Sequence, residues 1–179
     1  MGEPQRILIY GSTGSGKSTL AAGISERTGI PWHCVDDFTW QPGWQSTPED
    51  EQRRIASDIC AGDRWILDTA YGSWCDVPLA RADLVVALDY RRWVSLARLV
   101  RRSIARAVDQ RPICNGNTET WRLLFSRESI VAWHFRSFAQ KRQEIRRWAS
   151  GAIDPAVLRM TSPRATQAWL DTVGPTSTG

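Results

Sequence analysis

Short apolar runs alternate with longer amphipathic stretches along most of this chain. Residues 6–10, RILIY, form an apolar run that ends in glycine, the pattern of a buried strand. KSTLAAGISERTG then spaces its alanines and leucine for one helical face, with Gly29 as the stop. PWHCVD, 31–36, reads as a second strand. Thr47-Pro48-Glu49-Asp50 reads as a capped helix start with Pro48 at the first helical position, and that helix runs to about Cys60. RWILD (64–68) and LVVALD (84–89) are the clearest strands, each ending in aspartate. Helices are predicted over 91–109 and roughly 119–148, the latter with a break near Ser126. AVLRM (156–160) is a last strand, RATQAWLDTV a last helix, and 173–179 a disordered tail.

Strands alternating with helices predict a parallel sheet covered on both faces. The expected architecture is a three-layer α/β/α domain over residues 1–172, with a sheet of about five strands and an Arg-rich helical lid near 91–148. Sites in such sheets lie at the carboxyl ends of the strands. Gly11, Asp36, Asp68 and Asp89 all fall at predicted carboxyl ends. Their convergence is the first pointer to a site.

Composition narrows the class without naming it. No apolar run approaches the ~20 residues of a membrane span, and the N-terminus lacks a signal-peptide layout. A cytoplasmic protein is expected. Cys34, Cys60, Cys75 and Cys114 form no C-x-x-C pair, and only His33 and His134 could join them, so reduced packing cysteines are expected rather than zinc ligands. Charge is uneven: residues 91–147 hold fourteen of the 23 basic residues against four acidic ones. Such a segment suits nucleotide phosphates or nucleic acid. Lys17 and Lys141 are the only lysines, which makes each informative.

GSTGSGKS, from Gly11 to Ser18, matches G-x-x-x-x-G-K-[ST] in full, after a predicted strand and before a predicted helix. Gly11, Gly14 and Gly16 let the backbone of Ser12, Thr13, Ser15 and Thr19 curl so that N–H groups and the helix terminus face a phosphate. Lys17 reaches the β- and γ-phosphates, and the Ser18 hydroxyl ligates Mg²⁺. The loop identifies an ATP-type donor but not the fate of its phosphate.

Phosphoryl transfer also needs a carboxylate near the γ-phosphate, for the metal or for the acceptor's proton. Asp68 stands on the strand expected beside the loop strand, and Asp36 and Asp37 close the second. Asp89, just before a helix, reads first as an N-cap. Trp40 and Trp44 flank a Pro-Gly turn and have two open readings, as packing for the 38–47 loop or as walls of an acceptor pocket. CNGN, 114–117, reads as a turn.

Taken together, ILIYGSTGSGKSTLA, VDDFTWQPGW, WILDTAYG, ADLVVALDYRR, ICNGNTET and SRESIVAW resemble the adenylate-kinase-like P-loop kinases called DNA topology modulation proteins. The resemblance spans roughly residues 6–135. It implies that Asp36 rather than Asp37 serves the acceptor, with Trp40 and Trp44 nearby, and that Asp68 serves Mg²⁺. The family's Asp-Gly-Asn-Tyr is here Asp68-Thr69-Ala70-Tyr71, which keeps the aspartate and Tyr71 only. Similarity to adenylate kinase implies that Arg98 and Arg102 serve the nucleotide and the transferred phosphoryl, with Arg127 and Arg136 as further lid cations. The arginine after that enzyme's third-strand Asp-Gly is missing here, which argues against AMP as acceptor.

The sequence thus leads to an ATP- and Mg²⁺-dependent small-molecule kinase: Lys17, Asp36 and Arg102 catalytic, Ser18 and Asp68 on the metal, the acceptor unidentified. Its rivals are an ATP-switched nucleic-acid-associated protein using the basic segment, and an NTPase whose acceptor is water. The alternation of arginine with Leu, Ile, Val and Trp at helical spacing, and the lack of a nucleic-acid-binding signature, favour the kinase.

Overall fold

The computed structural model describes residues 3–109, 117 and 130–174. In chain order the elements are β1 (Arg6–Gly11), α1 (Lys17–Thr28), β2 (Trp32–His33), α2 (Val35–Thr39), β3 (Trp40–Gln41), β4 (Gln45–Ser46), α3 (Glu49–Cys60), β5 (Trp65–Leu67), α4 (Asp76–Leu79), β6 (Leu84–Leu88), α5 (Arg92–Asp109), α6 (Ile130–Arg147), a π-turn over Trp148–Ala152, β7 (Ala156–Met160) and α7 (Pro163–Leu170). Five strands form one parallel sheet in the order β2-β5-β1-β6-β7. β1 is central, with Leu8 opposite Leu67 of β5 and Val85 of β6.

Strand alternation sorts the core into two layers. Leu8 and Tyr10 of β1, Trp65 and Leu67 of β5, and Val85 and Ala87 of β6 face a cluster closed by Val35, Trp74, Ile145 and Trp148. Ile7, Ile9, Ile66, Val86 and Leu88 face the other, closed by Leu20, Ala21, Ile24 and Leu170. Helix α1 ends where expected, at Gly29 with φ 66°. The π-turn after α6 closes on Gly151 at φ 90°.

The structure differs from the sequence expectation in four places. The second strand stops at His33, and Val35–Thr39 is a short helix. Its first N–H, from Val35, is accepted by Asp68 Oδ1 at 2.9 Å, so a carboxylate from a neighbouring strand end satisfies one of the helix's orphan donors. Asp36 is therefore a first-turn helical residue and not a strand end. Pro48 is the N-cap of α3 and not its first residue, and no side chain caps that helix. The Thr47 carbonyl instead accepts from Gln52 Nε2 at 2.7 Å. Asp89 is not an N-cap, as described below.

Helix α5 is described as far as Asp109, and α6 is described from Ile130. The predicted stretch 119–129 with its break near Ser126, Cys114, Arg127 and the last five residues lie outside the described part. Both described helices of the region read as a lid are rooted in the α/β body, α6 on β1 and α5 on α6 and the phosphate loop. Among the described residues, no helix is long and apolar enough to cross a membrane.

Candidate active site

Two glycines give the loop its shape. Gly14 at φ 79° and Gly16 at φ 94° both adopt the left-handed region. A Cβ on Gly14 would also lie 2.4 Å from the Ser95 carbonyl and 2.8 Å from Leu99 Cβ. Helix α5 is thus pressed onto the loop, and Gly14 is required twice over. Alternation of left-handed residues with their neighbours is the backbone pattern that gathers N–H groups into an anion nest. Ser15 is buried and its Oγ has no partner among the described residues.

Lys17 opens α1, and its Nζ donates to the Ser12 carbonyl at 3.2 Å. Burial pushes its pKa down to about 7; the charges of Lys141 and Arg102 act the same way, while Asp36 and Asp68 oppose them. Both carboxylates, Lys141 and Arg102 therefore act on the loop lysine. Asp36 responds reciprocally. Burial and the neighbouring Asp68 raise its pKa, against Lys17, Arg102 and a Tyr71 hydroxyl that donates to Oδ1 at 3.4 Å. Asp37, one residue on, is exposed. The phenol of Tyr71 sits among Asp36, Thr39 and Trp40, and burial raises its pKa.

Trp40 and Trp44 are both half-buried and meet edge to face, 6.0 Å between ring centroids. They sit on the β3–β4 hairpin, whose Pro-Gly turn places Trp44 itself at φ 58°. Asn117, the last residue of CNGN, holds that turn: its Oδ1 accepts from Trp44 N at 2.9 Å and its Nδ2 donates to the Gln41 carbonyl at 3.0 Å. Trp40 belongs to the Asp36–Tyr71 group, and Trp44 is its outer neighbour.

A cavity of about 270 Å³ opens on the other side of the loop, lined by Gly14, Gly16, Thr19, Arg98, Arg102 and Tyr90, with Thr166 and Gln167 of α7 closing it. Arg98 Nη1 donates to the Ser15 carbonyl at 3.4 Å, and its guanidinium lies 5.9 Å from the Tyr90 ring centroid. The Tyr90 and Thr166 hydroxyls are 2.6 Å apart. Arg136 is exposed on α6.

The donor set suits Mg²⁺, which favours hard oxygens and keeps several positions for water and substrate phosphate. Ser18 is exposed. The buried Asp68 commits Oδ1 to Val35 N and leaves its other carboxylate oxygen without a partner among the described residues. No group of three His, Cys, Asp or Glu side chains gathers among the described residues, so a closed all-protein metal cage is not what this site offers. Cys34, Cys60 and Cys75 are free thiols whose pKa burial pushes up to about 12.

Several residues escaped the sequence reading. Tyr90, Thr166 and Gln167 form the far wall of the cavity; the carboxyl-end rule pointed at the end of β7 as well, but no glycine or aspartate marks it. His134 of α6 is fully buried, with Nδ1 3.0 Å from the Thr13 carbonyl. Lys141 of α6 acts directly on Lys17. Asp89 accepts from Arg142 Nε at 2.9 Å and Arg159 Nε at 2.8 Å, and its side chain is 1% exposed. The N-cap reading failed because these partners come from α6 and β7, far along the chain. Basic residues of the 91–147 segment thus have internal work: Arg92 lies about 5 Å over the Phe135 and Phe138 rings, Arg98 binds the loop, and Arg142 binds Asp89.

No protein-family model matches the sequence, and no curated protein matches it. Solved structures do. A gluconokinase from Sinorhizobium meliloti superposes with TM-score 0.56 at 16% identity, covering 97% of this chain and 95% of that one. A shikimate kinase from Acinetobacter baumannii, in complex with shikimate, gives 0.60 at 15%, covering 94% and 90%. A shikimate kinase from Aquifex aeolicus gives 0.54 at 14%, covering 94% and 92%. Identities this low speak to architecture alone: the chain has the P-loop small-molecule kinase fold.

Proposed function

We propose that this protein is a small-molecule kinase that transfers the γ-phosphoryl of ATP, with Mg²⁺, to an acceptor hydroxyl. One observation carries the reading: the intact phosphate loop follows β1, and after the neighbouring strand Asp68 Oδ1 accepts from Val35 N at 2.9 Å, one residue before the Asp36 that accepts from the Tyr71 hydroxyl at 3.4 Å. A donor-phosphate site would thus adjoin two carboxylates, one for the metal and one for the acceptor. The fold shared with gluconokinase and shikimate kinase, and the motif resemblance to the adenylate-kinase-like DNA topology modulation proteins, support it.

The loop N–H groups and Lys17 would hold the triphosphate, and Arg98 would close on its base side beside Tyr90. Ser18 and Asp68 would hold Mg²⁺, which when bound neutralises charge on the β- and γ-oxygens. Asp36 would accept the acceptor hydroxyl's proton. Its raised pKa makes it a stronger base than an ordinary aspartate. Arg102 would stabilise the charge developing on the transferred group. Trp40, Trp44 and Tyr71 would wall the acceptor, with Arg127 and Arg136 as further cations. Asp36→Asn keeps the shape and removes the base. A fall in phosphoryl transfer of about 100-fold or more, with ATP affinity retained, is the expected result; near-normal transfer would defeat the assignment.

A further inference from the structure

Trp44, at φ 58°, is the one non-glycine residue at positive φ among the described residues. A bulky aromatic there is a genuine outlier, because its Cβ crowds the following carbonyl. It closes the short loop that joins β3 to β4, where a left-handed position favours glycine or asparagine. Gly43 just before it, at φ 78°, follows that preference, and Trp44 does not. The conformation is held from outside the hairpin. Asn117, 5% exposed, lies on the stretch between α5 and α6. Its Oδ1 accepts from Trp44 N at 2.9 Å and its Nδ2 donates to the Gln41 carbonyl at 3.0 Å, so one buried amide grips both sides of the turn. Glycine at position 44 would make the same backbone bond without the strain. Hairpin closure therefore does not account for a tryptophan; what the tryptophan adds is its ring.

That ring belongs to the Asp36 side of the molecule. Trp40 donates its backbone N–H to the Asp36 carbonyl at the end of α2, and its indole meets that of Trp44 edge to face at 6.0 Å. Tyr71, whose hydroxyl donates to Asp36 Oδ1 at 3.4 Å, adds a third aromatic to the group. Both tryptophans are half-buried, and an edge-to-face pair leaves indole surface that its partner does not cover. A heteroaromatic base, or the C–H face of a sugar or cyclitol, packs flat on such a surface. An open chain offers no comparable face and loses more conformational freedom on being ordered.

We infer that Trp44 is a specificity-determining contact for an acceptor that carries its hydroxyl on a ring, and that Asn117 is the positioning residue that holds the indole in place. The inference rests on the kinase reading. Backbone strain persists only where its surroundings over-determine it, and sites of binding are where chains retain it. Here the buried amide supplies the over-determination and the ring supplies the use. The phosphate loop makes none of these contacts, so ATP is handled alike with or without the indole.

The test incubates full-length protein, ATP and Mg²⁺ with two acceptor panels and reads the products by mass spectrometry. One panel holds ring compounds: cyclitols, pyranose sugars and nucleosides. The other holds open-chain polyols, aldonic acids and hydroxy amino acids. A phosphorylated product is expected from the ring panel. Trp44→Gly keeps the hairpin backbone and relieves the strain. It should raise KM for that acceptor about 10- to 100-fold and change KM for ATP by no more than about twofold. Its melting temperature should stay within about 3 °C of wild type, and Trp44→Phe should recover part of the acceptor KM. Asn117→Ala should raise the same KM; Asn117→Asp, whose carboxylate still accepts from Trp44 N, should raise it less. Turnover confined to the open-chain panel, or a Trp44→Gly enzyme with unchanged acceptor KM, would overturn the inference and leave the kinase reading standing. No turnover in either panel would sink the kinase reading and this inference with it.

Discussion

His134 Nδ1 lies 3.0 Å from the Thr13 carbonyl, which ties helix α6 to the phosphate loop. The carbonyl accepts, so Nδ1 carries the proton, and the buried Nε2 has no partner among the described residues. Burial lowers the pKa of this imidazole. With the folded pKa below the unfolded one, the unfolded chain binds the extra proton, so stability is lost as pH falls below the ordinary histidine value of ~6.5. His134→Leu should cost about 1 kcal/mol at pH 7.5, and that deficit should shrink at pH 5.5. Urea titrations of both proteins at the two pH values check it; a deficit that grows on acidification contradicts it.

Lys17 gives a second pH signature. Its pKa is held near 7 in the free protein, and a bound triphosphate would restore its charge. ATP binding at pH 8 should therefore take up close to one proton, and affinity should fall as pH rises above 7. Calorimetry in buffers of differing ionisation enthalpy measures the uptake, which Lys17→Met should abolish along with tight binding. Because a lowered lysine pKa destabilises the fold below its unfolded value, the nucleotide-free Lys17→Met protein should melt higher than wild type at pH 7.5.

Gly14→Ala should be severe. The new Cβ meets the Ser95 carbonyl at 2.4 Å in a backbone conformation that already penalises a side chain. Neither contact is the flexible end of a side chain, so α5 or the loop has to move. A loss of ATP-induced thermal shift is expected, together with about 2 kcal/mol or more of stability.

Asp89→Asn tests a structural assignment. The carboxylate is buried, while its partners Arg142 and Arg159 are partly exposed, at 36% and 38%. Loss of the charge should cost about 2–3 kcal/mol, below the value for a fully buried pair, as read by urea denaturation. ATP affinity should change little, since no loop contact is removed.

Elements whose cause is local were legible in the sequence. The apolar runs of β1, β5 and β6, the glycine stop of α1 and the phosphate loop each carry their reason within a few residues. Asp36 was separated from Asp37 only by resemblance; in the structure Asp36 is half-buried beside the Tyr71 hydroxyl, and Asp37 is exposed. Features set by distant partners were not legible. Helix α2 is too short to nucleate alone and owes its start to the Asp68 carboxylate, 33 residues away. Asp89 looked like a cap because its arginines are 53 and 70 residues distant. Tyr90 and Thr166 met across the cavity without any motif to mark them.

The most direct test follows the γ-phosphoryl itself. Protein, Mg²⁺ and γ-labelled ATP are incubated with a mixed pool of small hydroxylated metabolites, and the label is tracked by mass spectrometry. Label should appear in a discrete organic phosphate, and its appearance should require both Lys17 and Asp36. Label released only as inorganic phosphate, at a rate indifferent to the pool, would contradict the account.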